Sequence, residues 1–213
     1  IMERAPGQAD RAVLRTRDPL GLGPGGRVRL AEQLCDLLAD VHRLDVVSSG
    51  LVDVQGPAAV DPAAHEVARW SAEVDRARIE PLPELGYVAL WLREHLPAPP
   101  RRPTLVHGDF RPANVLVVGG QPGTLLDWEF AHLGDPAEDL GWYTAAIYRN
   151  EHFGEEQAWT PDAFMRRYLD RVGTAAGADN SDCAAMTDPA RLHFWQVLAL
   201  YKLSAIAVAG VHS

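Results

Sequence analysis

Residues 105–129 read Leu105-Val106-His107-Gly108-Asp109-Phe110-Arg111-Pro112-Ala113-Asn114-Val115-Leu116-Val117-Val118-Gly119-Gly120-Gln121-Pro122-Gly123-Thr124-Leu125-Leu126-Asp127-Trp128-Glu129. Three short β-rich runs are visible around and within this stretch, at 104–107, 114–118 and 124–128. Gly119-Gly120-Gln121-Pro122-Gly123 separates the last two and is a strong hairpin signal. Such a hairpin brings Asn114, at the start of its first strand, near Asp127, close to the end of its second. Asp109 leads into the same edge from the first run. Two carboxylates and a carboxamide thus converge, a set of oxygen donors suited to a hard cation such as magnesium. Phosphoryl transfer needs such a metal to neutralise phosphate charge, and a carboxylate to orient the attacking hydroxyl and accept its proton.

The chain on either side reads as helical. Val28, Leu30, Ala31, Leu34, Leu37, Leu38 and Val41 recur at three- and four-residue spacing, predicting an amphipathic helix from Arg27 to about His42. Asp61-Pro62 starts a second helix, with Val67, Trp70 and Val74 on its buried face. A third runs over about 83–96 and is stopped by Pro97, Pro99, Pro100 and Pro103. Asp135-Pro136-Ala137-Glu138 opens a fourth in the manner of a capping box. Thr160-Pro161 opens a fifth, and a long apolar helix covers about 190–209. The Pro- and Gly-rich residues 1–26 read as a loop or linker without a packed element, and 173–188 as a mobile loop. The expected fold class is mainly α with a small β-hairpin element.

Composition narrows the classes of function. The formal charge of −9 argues against nucleic acid as a partner, which would require a basic face. The most apolar stretch, 197–211, is broken by Lys202 and Ser204 and reads as too short to span a bilayer, so no membrane is expected. Cys35 and Cys183 have no metal-type spacing, Cys35 reads as a buried thiol, and no charged-then-apolar leader is visible. A cytoplasmic protein is the default.

His107-Gly108-Asp109, then Asn114, then Asp127-Trp128-Glu129, Gly134-Asp135-Pro136 and Asp139-Leu140 together resemble the aminoglycoside phosphotransferase and choline kinase family. His-Gly-Asp-Phe-Arg and Asp-Trp-Glu with Gly-Asp-Pro are most similar to the kinase-like domains associated with acyl-CoA dehydrogenases. The resemblance implies the C-terminal lobe of a protein-kinase-like fold, with a catalytic loop at 105–116 and a metal-binding segment at 125–129. It implies Asp109 as catalytic base, Asn114 and Asp127 as Mg2+ ligands, and ATP or GTP as co-substrate. His107 matches the histidine that braces the loop. Met2, Glu3 and Arg4 resemble the interlobe hinge, whose backbone would meet the nucleotide, so 1–26 is expected to be hinge and linker and 27–213 the lobe itself. The family's N-terminal nucleotide lobe has no counterpart here, which makes the chain an expected piece of a longer protein, inactive alone.

Each residue also has a plainer reading. Asp109 could be a turn residue, Asn114 a hairpin cap and Asp127 a solvated strand end. Asp135 reads as an N-cap and Asp139 as a buried anchor for the catalytic loop. Arg111 could touch phosphate or acceptor, or form a surface salt bridge; Glu129 could assist the metal, meet substrate or face water. Trp142, Tyr143, Tyr148, Trp195 and Tyr201 read as core, while His42 and His95 read as unremarkable helix ends. The acceptor class stays open among aminoglycosides, amine alcohols, sugars, homoserine and hydroxyacyl thioesters. A non-catalytic pseudokinase, or a hydrolase using the same carboxylates, is the alternative.

Overall fold

A computed structural model describes residues 4–46, 60–153, 159–173, 186 and 188–210. Its helices are α1 (Gly23–His42), α2 (Pro62–Ala77), α3 (Pro83–Glu94), α4 (Ala137–Thr144), α5 (Arg149–His152), α6 (Pro161–Gly173) and α7 (Pro189–Gly210). Between α3 and α4 lie β1 (Thr104–Val106), β2 (Val115–Val118), β3 (Gln121–Leu125) and β4 (His132–Gly134). Met2, Glu3, Cys183 and most of the 173–188 loop lie outside the described residues.

Proline-initiated helices form where the sequence signals them. The Asp61 carboxylate accepts the Ala64 N–H at 3.1 Å before Pro62, and the Thr160 hydroxyl accepts the Ala163 N–H at 3.1 Å before Pro161. Asp188 does the same for the Arg191 N–H at 2.9 Å, just before Pro189. Helix α1 starts four residues earlier than expected. Asp18 accepts the N–H groups of Leu22 (2.8 Å) and Gly23 (2.7 Å), capping the helix from outside and overriding the poor propensity of Gly25 and Gly26.

The N-terminal segment is not an unpacked linker. Ala12, Val13 and Leu14 are buried, and Gln8 exchanges backbone hydrogen bonds with Val117 of β2. The β part also differs from a single hairpin. β2 and β3 pair through Val115 opposite Leu125, but the turn needs only Gly119 and Gly120, both at positive φ, so the strand resumes at Gln121. A second antiparallel pair joins β1 to β4, with Leu105 opposite Leu133 and Val106 opposite His132.

Among the described residues two large apolar cores result, beside a small third cluster of Trp142, Ala145, Tyr148 and Ala199. One gathers Leu30, Leu34 and Leu38 of α1, Phe164 and Tyr168 of α6, Val115 of β2, Tyr143 of α4 and Phe110. The other gathers Val67 and Trp70 of α2, Leu92 of α3 and Phe194, Trp195, Leu198 and Tyr201 of α7. Helix α4 lies in both, placing Leu140 and Tyr143 in the first and Ala137 in the second. Trp142, Tyr143, Tyr148, Trp195 and Tyr201 are all buried, as expected of core residues.

Helix α7 corrects one expectation. It has 22 residues and a mean hydropathy of 1.4 over its most apolar window, so length and composition alone would allow it to cross a membrane. In this fold it packs on α2 and α4 and buries Lys202.

Candidate active site

The loop that follows β1 runs across the seam between the two cores. Phe110 is fully buried in the first core and pins the middle of the loop. Gly108 has φ +80, and a Cβ there would stand 2.9 Å from both the Cβ and the carbonyl oxygen of Phe130. Only glycine fits both the backbone conformation and that approach.

Asp139, wholly buried on α4, holds the loop by its backbone. One oxygen accepts the His107 N–H at 2.7 Å and the other the Gly108 N–H at 2.8 Å. The first oxygen also lies 3.1 Å from His42 Nε2 at the end of α1, whose Nδ1 meets the Tyr168 hydroxyl at 2.7 Å. Burial by itself pushes the Asp139 carboxyl up, but the His42 hydrogen bond and the nearby histidine charge outweigh it. The net position is below the usual carboxylate value. His42 is therefore not the unremarkable helix end its position suggested.

His107 is fully buried, and its two ring nitrogens face a carbonyl and an N–H. Nε2 donates to the Leu126 carbonyl at 2.8 Å, while Nδ1 accepts the Asp109 N–H at 3.2 Å. Both contacts are satisfied by the neutral Nε2–H tautomer, and by no other. The ring thus ties the Asp109-bearing loop to the residue before Asp127.

Asp109 is mostly buried, and its carboxylate accepts the Asn114 amide N–H at 2.8 Å. The same amide group reaches the Asp109 carbonyl at 2.9 Å. Desolvation raises the Asp109 carboxyl above its ordinary value, against the opposing pull of Arg111, Asn114 and Lys202. Arg111 stands 3.4 Å from the other carboxylate oxygen, an ion pair whose alignment does not make a hydrogen bond.

Asn114 and Asp127 meet through Leu126, whose N–H donates to the Asn114 carbonyl at 2.8 Å. Asp127 is exposed and left-handed (φ 60, ψ 54), a region that aspartate tolerates better than most residues. This turn ends β3 and starts a 3₁₀ turn over Trp128–Phe130, in which Glu129 is exposed. Because the Asn114 nitrogen is committed to Asp109, its side-chain oxygen is the atom left to meet a cation. This oxygen and the exposed Asp127 carboxylate are each hard oxygen donors, the ligand type that magnesium takes.

The remaining candidates fall in two groups. Asp135 is buried and accepts the Ala137 N–H at 3.0 Å, Arg191 Nε at 2.9 Å and Trp195 Nε1 at 3.0 Å, joining the start of α4 to α7. Glu138 does not complete a capping box, since its carboxylate turns to His132 Nε2 at 3.2 Å. Arg4 is exposed. Sequence reasoning passed over Lys202, which is 3% exposed and donates from Nζ to the Gly108 carbonyl at 2.6 Å. The available signal was one lysine inside an otherwise apolar helix.

Residues 1–195 match the phosphotransferase enzyme family, and the chain belongs to that family. It is 31% identical over 224 residues to mouse acyl-CoA dehydrogenase family member 10, covering all of this chain and 19% of that protein. It is 29% identical over 226 residues to rat acyl-CoA dehydrogenase family member 11, covering all of this chain and 27% of that one. These are the relatives that the His-Gly-Asp-Phe-Arg and Asp-Trp-Glu resemblance anticipated, and the chain spans only a minor part of their length. A solved protein from Ralstonia eutropha, provisionally described as an aminoglycoside phosphotransferase, superposes with a TM-score of 0.72 at 20% identity. The match covers 98% of this chain and 61% of that one. An aminoglycoside-3′-phosphotransferase of type VIII gives 0.61 at 21% identity, covering 93% and 67%. The mostly helical fold with its small antiparallel strands is thus protein-kinase-like.

Proposed function

We propose that this chain forms the base- and metal-bearing lobe of a phosphotransferase that moves the γ-phosphate of ATP or GTP to a small-molecule hydroxyl. The observation that carries this reading is the linkage of Asp109 to Asn114 by two side-chain hydrogen bonds, and of Asn114 to Asp127 through Leu126. Magnesium bound with the nucleotide would supply neutralisation of phosphate charge, with the Asn114 oxygen and the Asp127 carboxylate holding it.

Asp109 orients the acceptor hydroxyl and takes its proton. Its partial burial, with the carboxyl raised, makes it a better proton acceptor than an exposed aspartate. Asn114 and Arg111 restrain the carboxylate, and His107 couples its loop to the segment bearing Asp127. The chemistry is positioning and electrostatics, with no covalent enzyme intermediate. Nucleotide contacts from the 1–26 segment and an N-terminal lobe belong to the same proposal. So does a reducing cytoplasm, which the buried, free Cys35 thiol suits.

The test is an Mg-ATP consumption screen of the full protein across hydroxyl acceptors, including amine alcohols, sugars and hydroxyacyl thioesters. Acceptor-dependent ADP formation that needs magnesium and falls by about 100-fold or more in Asp109→Ala supports the reading. ADP formation indifferent to every acceptor indicates a hydrolase, and activity undiminished in Asp109→Ala removes the role given to Asp109.

A further inference from the structure

We infer that Lys202 is a positioning residue for this reaction: its ammonium clamps the Gly108 carbonyl and so orients the peptide that carries Asp109. The inference rests on the phosphotransferase reading above. The Gly108–Asp109 peptide is held at both ends, by Lys202 Nζ at its carbonyl (2.6 Å) and by His107 Nδ1 at its N–H (3.2 Å). The preceding peptide is held by Asp139. Gly108 is the loop residue whose backbone is least restricted by its own chemistry, so rotation of the peptide beside it is the cheapest way to displace Asp109. A donor aimed at that carbonyl opposes the rotation.

The surroundings of Lys202 favour this role over simple packing. Its ammonium sits 4.4 Å from the Phe130 ring centroid and 5.1 Å from those of Trp70 and Trp142, a cage that excludes water. Counter-charge comes from Glu66 on α2 and Glu138 on α4, with His132 of β4 paired to Glu138. The ligand atoms of Glu66, His132 and Glu138 lie within 4.8 Å of one another, the spacing of a metal cage. However, Lys202 already supplies a cation there, and Arg69 stands 3.3 Å from Glu66. Glu66 and Glu138 are therefore counter-ions, shared by Lys202, Arg69 and His132. Burying an ammonium is costly, and an apolar side chain of similar volume would fill the same space at least as stably. What methionine at this position could not do is donate to Gly108.

Two variants of the full protein separate positioning from stability. Lys202→Met removes the buried ammonium beside Glu66 and Glu138 and is expected to lower the melting temperature. Lys202→Met/Glu66→Gln removes one charge of each sign, keeps the His132–Glu138 pair and an acceptor for Trp70 Nε1, and is expected to recover most of that loss. The double variant should nevertheless show amide hydrogen exchange at Asp109 faster by about tenfold or more. Its kcat for Mg-ATP turnover should fall about 10- to 100-fold, with KM for ATP changed less than about threefold. A merely structural lysine would recover exchange and kcat together with stability, and that result overturns the proposal. If the double variant keeps wild-type exchange and kcat while Asp109→Ala abolishes turnover, the clamp fails and the phosphotransferase reading stands. Turnover indifferent to Asp109→Ala overturns both.

Discussion

His42 Nε2 lies 3.1 Å from the Asp139 carboxylate, so the last residue of α1 holds the group that grips the Asp109-bearing loop. Removing Asp139 strands the N–H groups of His107 and Gly108 and leaves His42 without its acceptor, all in a buried setting. Asp139→Ala should cost about 3–5 kcal/mol in denaturant unfolding, and His42→Ala about 2–3 kcal/mol. An Asp139→Ala protein within about 0.5 kcal/mol of the parent would contradict this account of the loop.

His152, fully buried, and His132, partly buried, should give stability opposite pH dependences. Burial pushes His152 down from 6.5 to about 3, and its Nδ1–H donates to the Tyr143 carbonyl at 2.7 Å. Its folded value is depressed, so the unfolded chain binds the extra proton, and stability falls as pH drops below 6.5 toward 3. For His132, burial lowers the value but the Glu138 carboxylate outweighs it and raises the ring from 6.5 to about 9. That contribution is complete below 6.5 and is lost as pH rises through 9. Unfolding free energy measured against pH should therefore bend down on both sides. His152→Gln should flatten the acid limb and His132→Gln the alkaline one; a limb unchanged by its variant would refute that assignment.

Gly141 sets the distance between α4 and α7. A Cβ there would stand 2.5 Å from Trp195 Cβ and 2.7 Å from the Trp195 carbonyl carbon, with no flexible side-chain end to give way. Gly141→Ala should destabilise the protein by about 3 kcal/mol or more despite the better helix propensity of alanine. A neutral or raised melting temperature would show that the two helices separate at little cost.

The helices were legible because Asp61-Pro62, Thr160-Pro161 and the periodic leucines of α1 are local signals. The segment carrying Asp109, Asn114 and Asp127 was legible because its residues lie close in sequence and their order resembles a known family. Less visible was what supports them. β4 is only His132–Gly134, too short for a periodic pattern, and its pairing with β1 is a tertiary fact. The buried segment around Val13 looked like a linker because glycine and proline dominate its surroundings. His42 acts on the Asp139 carboxylate from 97 residues away and Lys202 on the Gly108 carbonyl from 94, separations that no local pattern announces.

The most direct test of the central claim is the single-turnover rate of phosphoryl transfer from Mg-ATP by the full protein and its Asp109→Asn variant. Nucleotide affinity should be measured alongside. The exchange keeps the shape of the side chain and removes its basicity. The account predicts a rate about 100- to 10,000-fold lower with ATP affinity changed less than about threefold. An Asp109→Asn protein that transfers phosphate at the parental rate would contradict it.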